Sequence, residues 1–95
     1  MKPDEFRKHA HELVDWMADY MENVENYPVK SLVSPGEIFN KIPDSPPLNS
    51  EPFSAFMKDF EEIIMPGITH WQNPNFFAYF PANTRPSSIL AEMLT

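Results

Sequence analysis

Residues able to do chemistry crowd one stretch of this 95-residue chain, Pro66 to Ala82, which reads PGITHWQNPNFFAYFPA. His70, Trp71, Phe76, Phe77, Tyr79 and Phe80 supply rings, and Pro66, Pro74 and Pro81 stiffen the backbone between them. Each proline lacks an amide donor and restricts its neighbour, so the stretch is too interrupted for a helix. It is also too apolar to lie loose in water. Rigid aromatic side chains on a fixed backbone suit the wall of a pocket for a flat ligand, because they lose little rotamer entropy on contact. A buried connector that only packs would carry the same composition, and both readings stay open at this level.

Other chemistry is sparse. His70 can shuttle protons, but a loop histidine more often hydrogen-bonds nearby backbone. There is no cysteine nucleophile, and Gly36 and Gly67 are too far apart to build a phosphate-cradling loop. Ser87 and Ser88 adjoin no elbow-like turn. Lysines stand at positions 2, 8, 30, 41 and 58, all in polar or loop settings unsuited to a Schiff base. His9 and His11, two apart, point to opposite sides of a helix. His9 can pair with Glu5 or Glu12, but two ligands do not make a metal site, so none is expected.

A net charge of −7 disfavours nucleic acid and acidic membrane surfaces as partners. The charged N-terminal stretch has no apolar run of the signal-peptide kind, and no segment approaches a membrane span. A soluble, cytoplasmic protein is the expectation. Aromatic residues make up 14% of the chain, a heavy load for one small domain. The surplus implies aromatic surface meant for another chain or for further sequence.

The elements that must position the aromatic stretch are helical. Phe6, Ala10, Leu13, Val14, Met17, Tyr20, Met21 and Val24 recur at steps of three and four, predicting a helix over 4–26. Its stripe is long enough to serve either as core or as a seam for a partner helix, with Leu13, Met17, Tyr20 and Val24 the expected association face. Ser34, Pro35, Gly36 and Glu37 have the form of a capping box opening a short helix through Ile38, Phe39 and Ile42. A second main helix is expected over 51–65, capped by Ser50, with Pro52 in its first turn. A third begins near Pro86, capped by Asn83 or Thr84, and its stripe of Ile89, Leu90, Met93 and Leu94 runs to Thr95 without a stop signal. That open pattern predicts a segment of a longer protein.

The strings DEFRKHAHELVDWMADYMENVE, VSPGEIFNKIP, FEEIIMPGITHWQNPNFFAYFPA and PSSILAEML, in this order and spacing, resemble the N-terminal segment of the aromatic-L-amino-acid decarboxylases. These are group II pyridoxal-phosphate-dependent decarboxylases. The resemblance covers essentially the whole chain, and IMPGITHWQNPNFFAYFPA is its most specific part. It implies an all-α segment, three main helices with proline-rich connectors, of an aspartate-aminotransferase-type homodimer whose first helix pairs with its mate. Residues 1–95 would then be a dimerisation and substrate-pocket segment. The cofactor lysine and the groups around the pyridine ring belong to later sequence, so this chain alone is expected to bind no pyridoxal phosphate and to be inactive.

The resemblance also implies that Trp71, Tyr79, Phe80 and Pro81 line the pocket for the substrate's aromatic ring. Ala82 stands where the animal catechol-substrate enzymes have a threonine that hydrogen-bonds a ring hydroxyl, which weakens any expectation of catechol preference. The implied activity is conversion of an aromatic L-amino acid to its amine and carbon dioxide. A family aldehyde synthase, or a stand-alone non-catalytic helical interaction module, are the alternatives.

Overall fold

The computed structural model describes residues 1–79 and 82–95; it is helical, with no strand among the described residues. Helix α1 spans Pro3–Asn23 and closes with one 3-10 turn, Val24–Asn26. Pro3 occupies the first helical position, where a missing amide costs nothing. The Glu5 carboxylate accepts the Lys2 backbone N–H at 2.8 Å, and Asp4 pairs with Arg7 at 2.9 Å, both in the first turn where acidic groups suit the helix dipole. Pro28 follows the 3-10 turn and ends the helix.

The SPGE segment is a turn and not a capping box. Glu37 N–H donates to Ser34 C=O at 3.1 Å, and Gly36 sits between them at φ 83°, ψ −10°. Pro35 followed by a left-handed residue is the type II arrangement, in which glycine is the residue that takes positive φ without steric cost. Helix α2, Glu37–Lys41, starts after that turn with no side-chain cap. Ile38 packs so close to Gly67 that a Cβ there would lie 3.0 Å from Ile38 Cγ1, which is why the α3 exit is glycine.

Helix α3 is Phe53–Asp59, begins directly after Pro52 and is not capped by Ser50. It widens into a π turn, Phe60–Ile64, and tightens into a 3-10 turn, Met65–Gly67. Helix α4, Pro86–Glu92, is preceded by Arg85 in the cap position, so neither Asn83 nor Thr84 caps it. Pro86 takes the first helical position as expected.

Packing is led by rings. Trp16 meets Phe60 edge-on at 5.3 Å and donates its indole N–H to Glu61 at 2.8 Å, joining α1 to the π turn. His9 lies against Phe53 at 4.7 Å while its Nδ1 pairs with Glu12 at 2.9 Å. That bond holds the Glu12 carboxyl below its ordinary pKa. His9 thus pairs with Glu12, one of its two expected partners, and also packs on a ring of α3. Among the described residues the buried side chains are Met65, His70 and Asn73, two of them polar. Phe6, Leu32, Phe39, Leu48 and Phe77 stay exposed, as expected of a chain whose aromatic load exceeds its own core.

Candidate functional site

The aromatic stretch hangs from the end of α1 by side-chain hydrogen bonds. Asn73 is 4% exposed, and its amide nitrogen donates to the carbonyls of Val24 at 3.1 Å and Tyr27 at 2.9 Å. Its Oδ1 accepts the Asn75 N–H at 2.9 Å, closing a local turn around Pro74. One side chain therefore gives Tyr27 C=O and the Asn75 N–H a partner and adds a second donor to Val24 C=O, which already accepts the Tyr27 N–H at 3.2 Å. Ser31 adds a tie, its hydroxyl donating to Pro66 C=O at 2.9 Å.

His70 is the most deeply buried large side chain, at 2% exposure. Its Nδ1 pairs with the Tyr20 hydroxyl at 2.8 Å, not with loop backbone as a histidine in this setting would suggest. Tyr27 lies over the imidazole at 4.7 Å between ring centres. Burial lowers the His70 pKa from its ordinary value, and burial followed by the neighbouring Tyr27 raises that of Tyr20. Both shifts favour neutral forms near pH 7, so the pair is an uncharged hydrogen bond.

Trp71, next in sequence, turns outward and is 46% exposed. Its indole stacks on Phe76 at 5.0 Å and 25°, and on Tyr79 at 5.7 Å and 11°. Tyr79 holds a left-handed backbone, φ 60°, which is rare for a bulky residue. Gln72 Nε2 donates to Ala82 C=O at 3.1 Å, bringing residue 82 back beside the Trp71 turn. Trp71, Tyr79 and Ala82 of the expected ring wall are thus gathered at one place. Phe80 and Pro81, expected there too, lie outside the described residues.

The expected association face divides. Leu13 and Met17 line an apolar groove of about 700 Å³ with Phe6, Ala10, Ile89 and Met93. Met17, Tyr20 and Val24 line a second, about 460 Å³, with Gln72, Pro86 and Ile89. Tyr20 serves both sides, its ring at the groove and its hydroxyl on His70. Asn73 and Tyr27 were missed by sequence reasoning. The Asn-Pro-Asn run at 73–75 was the available signal, since asparagine before proline favours turn initiation.

A sequence match to the pyridoxal-dependent decarboxylase conserved domain covers residues 35–95. The chain belongs to the pyridoxal-dependent decarboxylase family. It is 49% identical over 94 residues to a tryptophan decarboxylase of Camptotheca acuminata, covering 99% of this chain and 19% of that protein. It is 50% identical over 95 residues to a phenylacetaldehyde synthase of Petunia hybrida, covering 100% of this chain and 19% of that protein. The crystal structure of Catharanthus roseus tryptophan decarboxylase in complex with L-tryptophan superposes with a TM-score of 0.91 at 48% identity, over 99% of this chain and 20% of that one. The chain thus spans about a fifth of the length of the curated decarboxylase relatives it matches.

All five lysines of this family member are exposed, and Lys8 and Lys41 face Glu12 and Glu37 at 3.8 and 3.7 Å. Among the described residues no three metal-ligating side chains come together, and no helix is long and apolar enough to cross a membrane.

Proposed function

We propose that residues 1–95 are the helical N-terminal segment of a cytoplasmic, homodimeric, aspartate-aminotransferase-type decarboxylase that converts an aromatic L-amino acid to its amine. In this reading the segment supplies no catalytic group. Trp71, Tyr79, Phe80, Pro81 and Ala82 close the pocket over the substrate ring, while Leu13, Met17, Tyr20 and Val24 carry dimer contacts. Pyridoxal phosphate is held by sequence beyond this segment, and the segment alone is inactive. The observation that carries the reading is the half-exposed Trp71 stacked on Phe76 and Tyr79. Such a face offers an aromatic ring a flat, pre-ordered contact that excludes water on one side.

The test is a chimera in which residues 1–95 replace the matching segment of the Catharanthus roseus tryptophan decarboxylase. Amine formation from aromatic amino acids is expected. Changing Trp71 to Ala in that chimera should raise KM about tenfold, from the loss of roughly 1.4 kcal/mol of ring contact. An unchanged KM would remove Trp71 from the pocket. The similarity to the Petunia synthase favours a second reading, the same pocket in an enzyme that releases an aldehyde. Product analysis of the complete protein separates the two.

Ala82 bears on substrate choice. Its methyl offers no partner to a ring hydroxyl, and an apolar wall separates hydroxylated from plain rings weakly. Ala82→Thr in the chimera is expected to raise the specificity constant for a ring-hydroxylated substrate relative to phenylalanine several-fold, about 1 kcal/mol, with bridging water limiting the gain. An unmoved ratio would mean that residue 82 does not face the ring edge.

A further inference from the structure

We propose that His70 is a positioning residue: its buried imidazole, held by Tyr20, aims the Trp71 indole and sustains the Trp71–Tyr79 stack. The proposal rests on the reading of Trp71 as part of the substrate-ring wall.

Residue 70 is fixed from four directions. Its N–H donates to Val29 C=O at 2.9 Å, and its C=O accepts Asn73 N–H at 3.0 Å. Its Nδ1 meets the Tyr20 hydroxyl at 2.8 Å, and Tyr27 lies over its ring at 4.7 Å. Trp71 N–H donates to Thr69 C=O at 3.1 Å, so the backbone is tightly turned where the two side chains diverge. With His70 directed inward, the Trp71 Cβ is directed outward at a set angle. A second observation points the same way. Tyr79, itself 79% exposed, takes a positive φ of 60°, which is uncommon for a bulky side chain. Its ring lies parallel to the Trp71 indole at 5.7 Å, so that position of Tyr79 goes with the orientation of Trp71. A simple core residue at 70 would need bulk alone, whereas this one couples a single hydroxyl on α1 to the exposed stack.

The experiment uses the 95-residue chain with Tyr20→Phe, His70→Phe and His70→Gln. Nuclear Overhauser contacts between the Trp71 and Tyr79 rings are read against those between Trp16 and Phe60, a ring pair at 5.3 Å outside the turn. Tyr20→Phe and His70→Phe should each abolish the Trp71–Tyr79 contacts and keep those of Trp16–Phe60. His70→Gln, which can still hydrogen-bond Tyr20, should retain part of them. Persistence of the Trp71–Tyr79 contacts in both Phe variants would overturn the proposal. So would loss of both ring pairs together in Tyr20→Phe, which would make the pair a general core contact.

In the chimeric decarboxylase, Tyr20→Phe should raise KM roughly three- to tenfold, with kcat and the cofactor absorbance unchanged. If Trp71→Ala leaves KM unmoved there, the pocket reading fails, while the ring contacts in the isolated chain still decide what His70 does.

Discussion

Asn73→Ala is expected to lower the thermal midpoint of the chain by roughly 10 °C. The substitution removes the donor to Val24 C=O and Tyr27 C=O and the acceptor for Asn75 N–H. Val24 C=O keeps the Tyr27 N–H at 3.2 Å, while Tyr27 C=O and the Asn75 N–H lose their side-chain partner. At about 1 kcal/mol for each such partly buried group, a total near 2 kcal/mol is expected. For a domain of this size each kcal/mol moves the midpoint by about 4–8 °C. The loss matters because the core offers little reserve: Met65 is the one buried apolar side chain among the described residues. Circular dichroism melts of the chain check it. A shift of only a few degrees would mean that water takes over all three bonds.

Acid should weaken the same turn. His70 has a folded pKa below its ordinary value of 6.5, so the unfolded chain binds its proton first. The neutral imidazole's contribution is complete above about pH 6.5 and is lost as pH falls through the folded value. Tyr20 works in the opposite range, since its raised pKa keeps it protonated well above neutrality.

What the sequence revealed follows from how local each cause is. The apolar steps of α1, the proline at each helix start and the stop at Pro28 depend on neighbours within a turn, and the helices form where those signals lie. Caps were read less well. Ser50, Asn83 and Thr84 are plausible caps by type, but α3 begins directly after Pro52 and α4 at Pro86, whose preset φ suits a helix start without them. At 34–37 the positive φ of Gly36 decided for a turn over a cap.

The inward edge of α1 was harder. His9, Trp16 and Tyr20 share one face and pack on Phe53, Phe60 and His70, yet His9 and Trp16 fall outside the stripe that hydropathy picks out. Their partners lie 44, 44 and 50 residues away, at separations that no local pattern encodes. The ordered aromatic stretch was legible in kind, through the crowding of aromatics and prolines, but its anchor was not. Asn73 and His70 act on α1 through hydrogen bonds between distant positions.

Met17→Glu should weaken self-association of the chain about a hundredfold. Met17 lines both apolar grooves along α1, between Leu13 on one side and Val24 on the other. Burying a methionine in a partner's surface contributes about 1.5–3 kcal/mol, and a carboxylate there must also be desolvated. A loss near 3 kcal/mol corresponds to about two decades in dissociation constant. Glutamate is a good helix former, so α1 itself should persist, and its circular dichroism serves as the control. Two ionic conditions sharpen the test. Each chain carries a net charge of −7, so, if α1 associates as proposed, added salt should strengthen self-association of the unsubstituted chain by screening repulsion. Lowering the pH below the carboxylate range should restore part of the variant's association, since a neutral side chain costs less to bury. Sedimentation equilibrium over a concentration series measures all of this. A chain that stays monomeric at high concentration while fully helical would show that the α1 grooves are covered by something other than a second copy.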